Sequence, residues 1–206
     1  MPAFISQWKT DNAGTSEDNQ ITLPLVSSGT YDFTVDWGDG SQDTITAHDD
    51  AAVTHTYAAA GTYTVEITGT ISGWQFADGG DKDKILDVSQ WGDLAFGVNE
   101  GHFFGCSNLD VSATDAPDLT GVTSLQACFR DSGIGEADLS AWDVSSVTTM
   151  SSMFRGSAFN GDISQWDVSS VTSMSSMFSF GDFNGDVSQW DVSSVTDMSS
   201  MLRDTP

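Results

Sequence analysis

The segment Trp142-Asp143-Val144-Ser145-Ser146-Val147-Thr148 returns at Trp166 and again at Trp190, so the later part of this chain is built on a fixed period of 24 residues. Residues 142–165 and 166–189 are identical at 18 of 24 positions. A unit this small cannot bury its own apolar face, so successive copies must stack and bury it together. An extended array of this kind presents a long surface, which argues for binding before any catalytic motif is sought.

Within one unit the apolar positions include Val147, Met150, Met153 and Phe154, spaced as i, i+3, i+6 and i+7. That spacing predicts a short amphipathic helix. Ser145 or Ser146 would cap it and Asp143 would meet the positive end of its dipole. Gly156-Ser157-Ala158 would end the helix and Asn160-Gly161 would turn the chain. Asp162-Ile163-Ser164 then reads as a short strand with one buried residue. The Asp-apolar-Ser triplet recurs at Asp87, Asp110, Asp138, Asp162 and Asp186, with an insertion around Ala113–Leu119. The expectation is an α/β leucine-rich-repeat-like solenoid with one short parallel strand and one short helix per coil. It has five strand rungs from about Ile85 to Ser188, and Met, Val and Phe replace most Leu. Its last coil is open, so either a partner covers that end or the sequence is a piece of a longer array.

Residues 1–70 lack the period. They alternate Thr, Val and Tyr in the runs Ile21–Leu25, Tyr31–Trp37, Gln42–Thr46, Val53–Tyr57 and Thr62–Thr68, which predicts an all-β sandwich. Asp36-Trp37-Gly38-Asp39-Gly40-Ser41 reads as a tight hairpin. The expected organisation is a sandwich over 1–72, a linker or first-coil entry over 73–84, and the solenoid over 85–206.

The Trp-Gly-Asp-Gly-Ser turn, followed by His55-Thr56-Tyr57 and Gly61-Thr62-Tyr63-Thr64-Val65, resembles the polycystic-kidney-disease (PKD, Ig-like) type of β-sandwich. The resemblance implies that these residues hold the sandwich together and are not a reaction centre. The repeat Phe-Asn-Gly-Asp-Ile-Ser-Gln-Trp-Asp-Val-Ser-Ser-Val-Thr-x-Met-Ser-Ser-Met-Phe resembles the BspA-type leucine-rich-repeat surface proteins, strongly over 138–202 and more weakly over 85–137. That resemblance implies a secreted or surface-displayed protein that adheres to host or environmental ligands. Met1 to Trp8 has neither the basic start nor the apolar core of a signal peptide. Export is therefore expected from parts outside this sequence, or by a route such as a phage particle released on lysis.

The net charge is −24, from 26 Asp and 4 Glu against 6 Lys and Arg. Such a field repels nucleic acid and anionic membrane surfaces, so neither is an expected partner, and no apolar run suggests membrane insertion. Cys106 and Cys128 fall at different positions of neighbouring coils, with Cys128 in a core Met position, and read as buried thiols rather than a disulfide.

Two readings of the acidic residues stand. In register, Asp138, Asp162 and Asp186 form a row whose carboxylates either accept local hydrogen bonds or, with Asn160 and Asn184, hold Ca²⁺ between coils. Asp78, Asp81 and Asp83 lie in a loop that resembles a calcium loop without its distal Glu, or else form a solvated linker. No cofactor is required. The Trp142, Trp166, Trp190 ladder reads as a buried spine rather than a sugar-stacking strip.

The near-identical units differ chiefly at Thr149 and Ser173 and across 155–158 against 179–182, which nominates Thr149, Arg155, Ser173, Ser179, Phe180 and Asp182 as ligand-binding residues. No phosphate loop, metal-ligand cluster or nucleophile motif is present, so no enzyme is expected. The leading expectation is a non-catalytic extracellular or cell-surface recognition and adhesion module that binds a surface protein or glycan. The alternative is a structural protein of a phage virion or other assembly, with neighbouring subunits as partners.

Overall fold

Residues 2–206 are described in a computed structural model with nine strands: β1 Phe4–Lys9, β2 Gln20–Thr22, β3 Leu25–Asp36, β4 Gln42–Ile45, β5 Thr54–Thr56, β6 Thr62–Trp74, β7 Ile85–Gln90, β8 Leu94–Ala95 and β9 Asp110–Val111. One sheet runs β4-β3-β6-β1-β7-β9, with β8 pairing β6, and β2 and β5 form a second, two-stranded sheet. The hairpin signal at Asp36–Ser41 joins β3 to β4, which pair antiparallel with Asp36 opposite Gln42. Alternation along β3 buries Tyr31, Phe33 and Val35, and along β6 it buries Val65, Ile67 and Ile71.

The large sheet continues into the repeat region. Strand β7 pairs β1 antiparallel and β9 in parallel, with Asp87 opposite Asp110 and Val88 opposite Val111. From the end of β6 to the start of β7, residues 73–84 pack closely, with Trp74, Phe76, Asp81 and Lys84 all buried. Asp81 accepts hydrogen bonds from the Thr15, Ser16 and Thr22 amides at 2.9, 3.0 and 2.7 Å and from Ser16 Oγ at 2.6 Å. Lys84 Nζ donates to the Ser16, Glu17 and Gln20 carbonyls at 2.8 to 3.1 Å and lies 4.0 Å from Asp81. This buried pair ties the loop before β2 to the entry of β7.

Beyond β9 the structure corrects the sequence-based fold. The described residues contain no α-helix, only a 3₁₀ turn at Ala51–Val53, so an α/β leucine-rich-repeat solenoid with a helix per coil does not form. The Asp138, Asp162 and Asp186 triplets form no strand, and each leads into a turn at its serine. The 24-residue units nonetheless stack, because isolated parallel bridges link Ser124 to Thr149, Thr149 to Ser173 and Ser173 to Asp197.

The reason is where the amides go. In the segment expected to be helical, the Met150, Ser152, Phe154 and Gly156 N–H groups donate to the Ser173, Ser175, Met177 and Ser179 carbonyls of the next unit at 2.8 to 2.9 Å. The intervening Met153, Arg155 and Ser157 amides close turns onto Met150, Ser152 and Phe154 at 3.1 to 3.2 Å. Ser152, Ser176 and Ser200 stand at φ 57, 56 and 56, opposite in sign to a helix. Serine is a poor helix former because its hydroxyl competes for backbone groups, and here the stack claims every second amide. Successive three-residue turns place Val147, Met150 and Met153 inward as a helix would, which is why the apolar spacing did not separate the two.

The core follows the stack. Phe103, Phe129, Phe154 and Phe178 lie ring on ring at 5.5, 5.9 and 5.7 Å, with interplanar angles of 12, 8 and 2°. Trp142, Trp166 and Trp190 are buried beside them, Trp166 Nε1 donating to the Leu139 carbonyl at 2.9 Å and Trp190 Nε1 to that of Ile163 at 3.1 Å. Cys106 and Cys128 are free, buried thiols.

Candidate recognition surface

The alternating turns place two left-handed residues in every unit, four positions apart. The first site is filled by Gly101, Ala127, Ser152, Ser176 and Ser200, the second by Gly105, Asp131, Gly156, Phe180 and Asp204. Glycine accepts this conformation without cost, whereas a side chain with Cβ is strained by roughly 1–2 kcal/mol. Phe180, at φ 61, is the only bulky residue in either set, and it is 46% exposed. A large aromatic held in a strained conformation and half open to water packs too little to explain its own presence.

Immediately before the second site, cross-unit bonds align another column. Gly105, Asp131, Gly156 and Phe180 amides donate to the carbonyls of Arg130, Arg155, Ser179 and Arg203. The chain has three arginines, and Arg130, Arg155 and Arg203 therefore occupy one repeat position on one edge. Arg130 stacks over Phe104 at 4.6 Å, while Arg155 and Arg203, from the units before and after, each approach the Phe180 ring at 5.2 Å. Such contacts hold a guanidinium against a ring by cation–π attraction. Arg130 and Arg203 pair with the next residue in sequence, Asp131 at 3.1 Å and Asp204 at 3.3 Å. Arg155 is followed by Gly156, and among the described residues its guanidinium is in no ion pair.

The six residues nominated from unit-to-unit variation are thus only partly brought together. Arg155 and Phe180 meet, and Asp182 is exposed on the loop that follows. Ser179 is buried, its hydroxyl donating to the Ser176 carbonyl at 3.1 Å. Thr149 and Ser173 belong to the bridge row, where Thr149 Oγ1, Ser151 Oγ and Ser173 Oγ form a hydroxyl chain with steps of 3.1 and 2.8 Å. Arg130, Arg203 and Phe104 were missed by comparing two units. The shared repeat position of the three arginines was the signal that would have found them.

The acidic residues nominated for calcium are each engaged locally. Asp138, Asp162 and Asp186 accept from the amides of Ser140, Ser164 and Ser188 at 3.0, 2.9 and 2.8 Å, and these serine contacts lower their pKa values. Asp78 and Asp83 flank Lys82 at 3.4 and 3.2 Å, and Asp81 is the buried acceptor described above. Among the described residues, no group of three or more His, Cys, Asp or Glu side chains is arranged to hold a metal ion.

One cluster has catalytic residue types. Ser41 Oγ lies 2.5 Å from Asp39 Oδ1, and His55 Nε2 lies 2.9 Å from Asp39 Oδ2 and 3.4 Å from Ser41 Oγ. A nucleophilic triad needs serine and aspartate on opposite ring nitrogens of the histidine. Here both approach Nε2, so the serine is not activated and the aspartate braces the turn. The Ser41 hydroxyl, with a smaller share from His55, pulls the Asp39 pKa down to about 2. His55 stacks on Trp37 at 4.7 Å and 8°. Among the described residues no helix is long and apolar enough to cross a membrane.

Residues 99–206, just over half of the chain, match the family described as Mycoplasma protein of unknown function, DUF285. No curated protein and no solved structure matches the chain. Together with the missing helices, this match corrects the resemblance to BspA-type leucine-rich-repeat proteins with a PKD-like sandwich, along with the leucine-rich-repeat and BspA-like descriptions drawn from it.

Proposed function

The chain belongs to the DUF285 family, and from that premise we propose that it is a non-catalytic recognition module that works outside the cell, binding a surface protein or glycan along the edge of its stacked units. One observation carries this reading: between near-identical units the large core side chains repeat, Ile163 to Val187 being a conservative exception, while the change that most alters the exposed chemistry falls on the edge at 155–156 against 179–180. Met150, Met174, Phe154 and Phe178 are the same residues in the same core, whereas Arg155 gives way to Ser179 and Gly156 to an exposed Phe180. A rigid cross-bonded frame with variation on its rim holds side chains for recognition at little entropic cost on binding. Probing printed arrays of glycans and matrix proteins with the labelled chain tests it. Saturable binding, reduced by Arg155→Gln, is expected; an array on which nothing binds saturably counts against the proposal.

A further inference from the structure

We propose that the arginine–phenylalanine edge is a binding site for a linear polysaccharide bearing carboxylate groups. This rests on the recognition reading above and names its ligand class. From Phe104 through Arg130, Arg155 and Phe180 to Arg203, the edge carries two aromatic and three guanidinium groups over five units. Four inter-unit steps at the usual spacing of neighbouring strands give a ribbon roughly 20 Å long. A chain polymer fits such a ribbon better than a compact ligand does.

The chemistry of the ribbon selects the polymer. Each guanidinium lies over a ring at 4.6 to 5.2 Å, and the planar N–H fork of an unpaired arginine meets a carboxylate in bidentate fashion. Arg155 is the one with no carboxylate of its own. Phe180, 46% exposed, adds apolar surface against which a sugar ring can pack. Half of the six basic residues of a chain with net charge −24 are gathered on this edge. Asp131 and Asp204 balance two of these charges, which leaves Arg155 as the free one, and carboxylates farther off are screened beyond about 8 Å at physiological ionic strength.

Phe180 supplies the independent argument. Its repeat position is glycine at Gly105 and Gly156, and a glycine there would relieve a left-handed phenylalanine. The exposed ring is kept in spite of that, between two guanidinium groups that it orients.

Because glycine suits the position, Phe180→Gly removes the ring without threatening the fold, and Arg155→Gln removes one charge. Isothermal titration calorimetry of the full chain with polygalacturonate fragments, with neutral dextran as control, is the test. The wild-type chain is expected to bind polygalacturonate, more weakly as salt is added, and to leave dextran unbound. Each variant should lose at least tenfold in affinity while keeping its urea midpoint. No binding of polygalacturonate by the wild-type chain, equal binding of dextran, or unchanged affinity in both variants overturns the proposal. If polygalacturonate is ignored while another ligand binds on the arrays, only this inference falls; a blank array removes the recognition reading with it.

Discussion

Trp142 and Trp166 occupy the same repeat position, are both buried, and differ in one hydrogen bond. Trp166 Nε1 donates to the Leu139 carbonyl at 2.9 Å, while Trp142 Nε1 has no partner. In the preceding unit the triplet equivalent to Asp138-Leu139-Ser140 is Asp110-Val111-Ser112, and the insertion around Ala113–Leu119 follows it before Trp142 is reached. Replacing each tryptophan by phenylalanine therefore removes similar apolar volume from both sites. At Trp166 it also removes a buried bond, worth about 1 kcal/mol, and leaves a carbonyl less satisfied, so the added cost is about 1–2 kcal/mol. At Trp142 it removes a buried N–H that was never paired, which offsets part of the packing loss. Urea unfolding followed by fluorescence, with an unchanged m-value, should show Trp166→Phe less stable than Trp142→Phe by about 1–2 kcal/mol. Equal losses, or a larger loss at Trp142, would refute the assignment of the indole bonds and of the backbone register that provides them.

His102 is fully buried against Phe96 at 4.2 Å, and burial lowers its pKa from 6.5 to about 4. Between those values the unfolded chain binds a proton that the folded chain refuses, so stability should fall as pH drops from about 6.5 to 4, by about 3 kcal/mol in all. His102→Leu should flatten that slope in unfolding curves collected across this range, and a slope unchanged by the substitution would count against it. Asp81→Ala strands Lys84 in the interior and should cost about 3–5 kcal/mol by denaturant unfolding, against less than 1 kcal/mol expected for an exposed pair. Burial raises the pKa of both Cys106 and Cys128 well above the usual thiol range. Both should resist a thiol reagent at neutral pH until urea unfolds the chain, and rapid labelling of the folded protein would show that the core there is open.

The 24-residue period, the stacking of units and the membership of the core were legible in the sequence because each depends on where apolar residues recur. Trp142, Val147, Met150, Met153 and Phe154 were placed inside on periodicity and are inside. The antiparallel hairpin at Asp36–Ser41 was legible from its Asp-Gly turn. The local conformation of the unit was not, because a helix and a chain of turns both return to the same face about every third residue. Glycine at Gly101 and Gly105, homologous to Ser152 and Gly156, was the available cue for left-handed backbone. The Asp81–Lys84 pair was invisible for another reason. Its partners at Thr15 to Thr22 lie about sixty residues away, and no local pattern records such a contact.

The position of the arginine–phenylalanine edge depends on the alternation of cross-unit and within-unit amides. Residue-resolved hydrogen exchange with backbone chemical shifts measures that alternation directly. Ser152, Phe154 and Gly156 should exchange slowly, as amides opened only by separating the units, with Ser152 and Ser176 showing left-handed shifts. Helical shifts running without interruption from Val147 to Arg155, with protection rising after the first turn, would contradict the stack and the edge built on it.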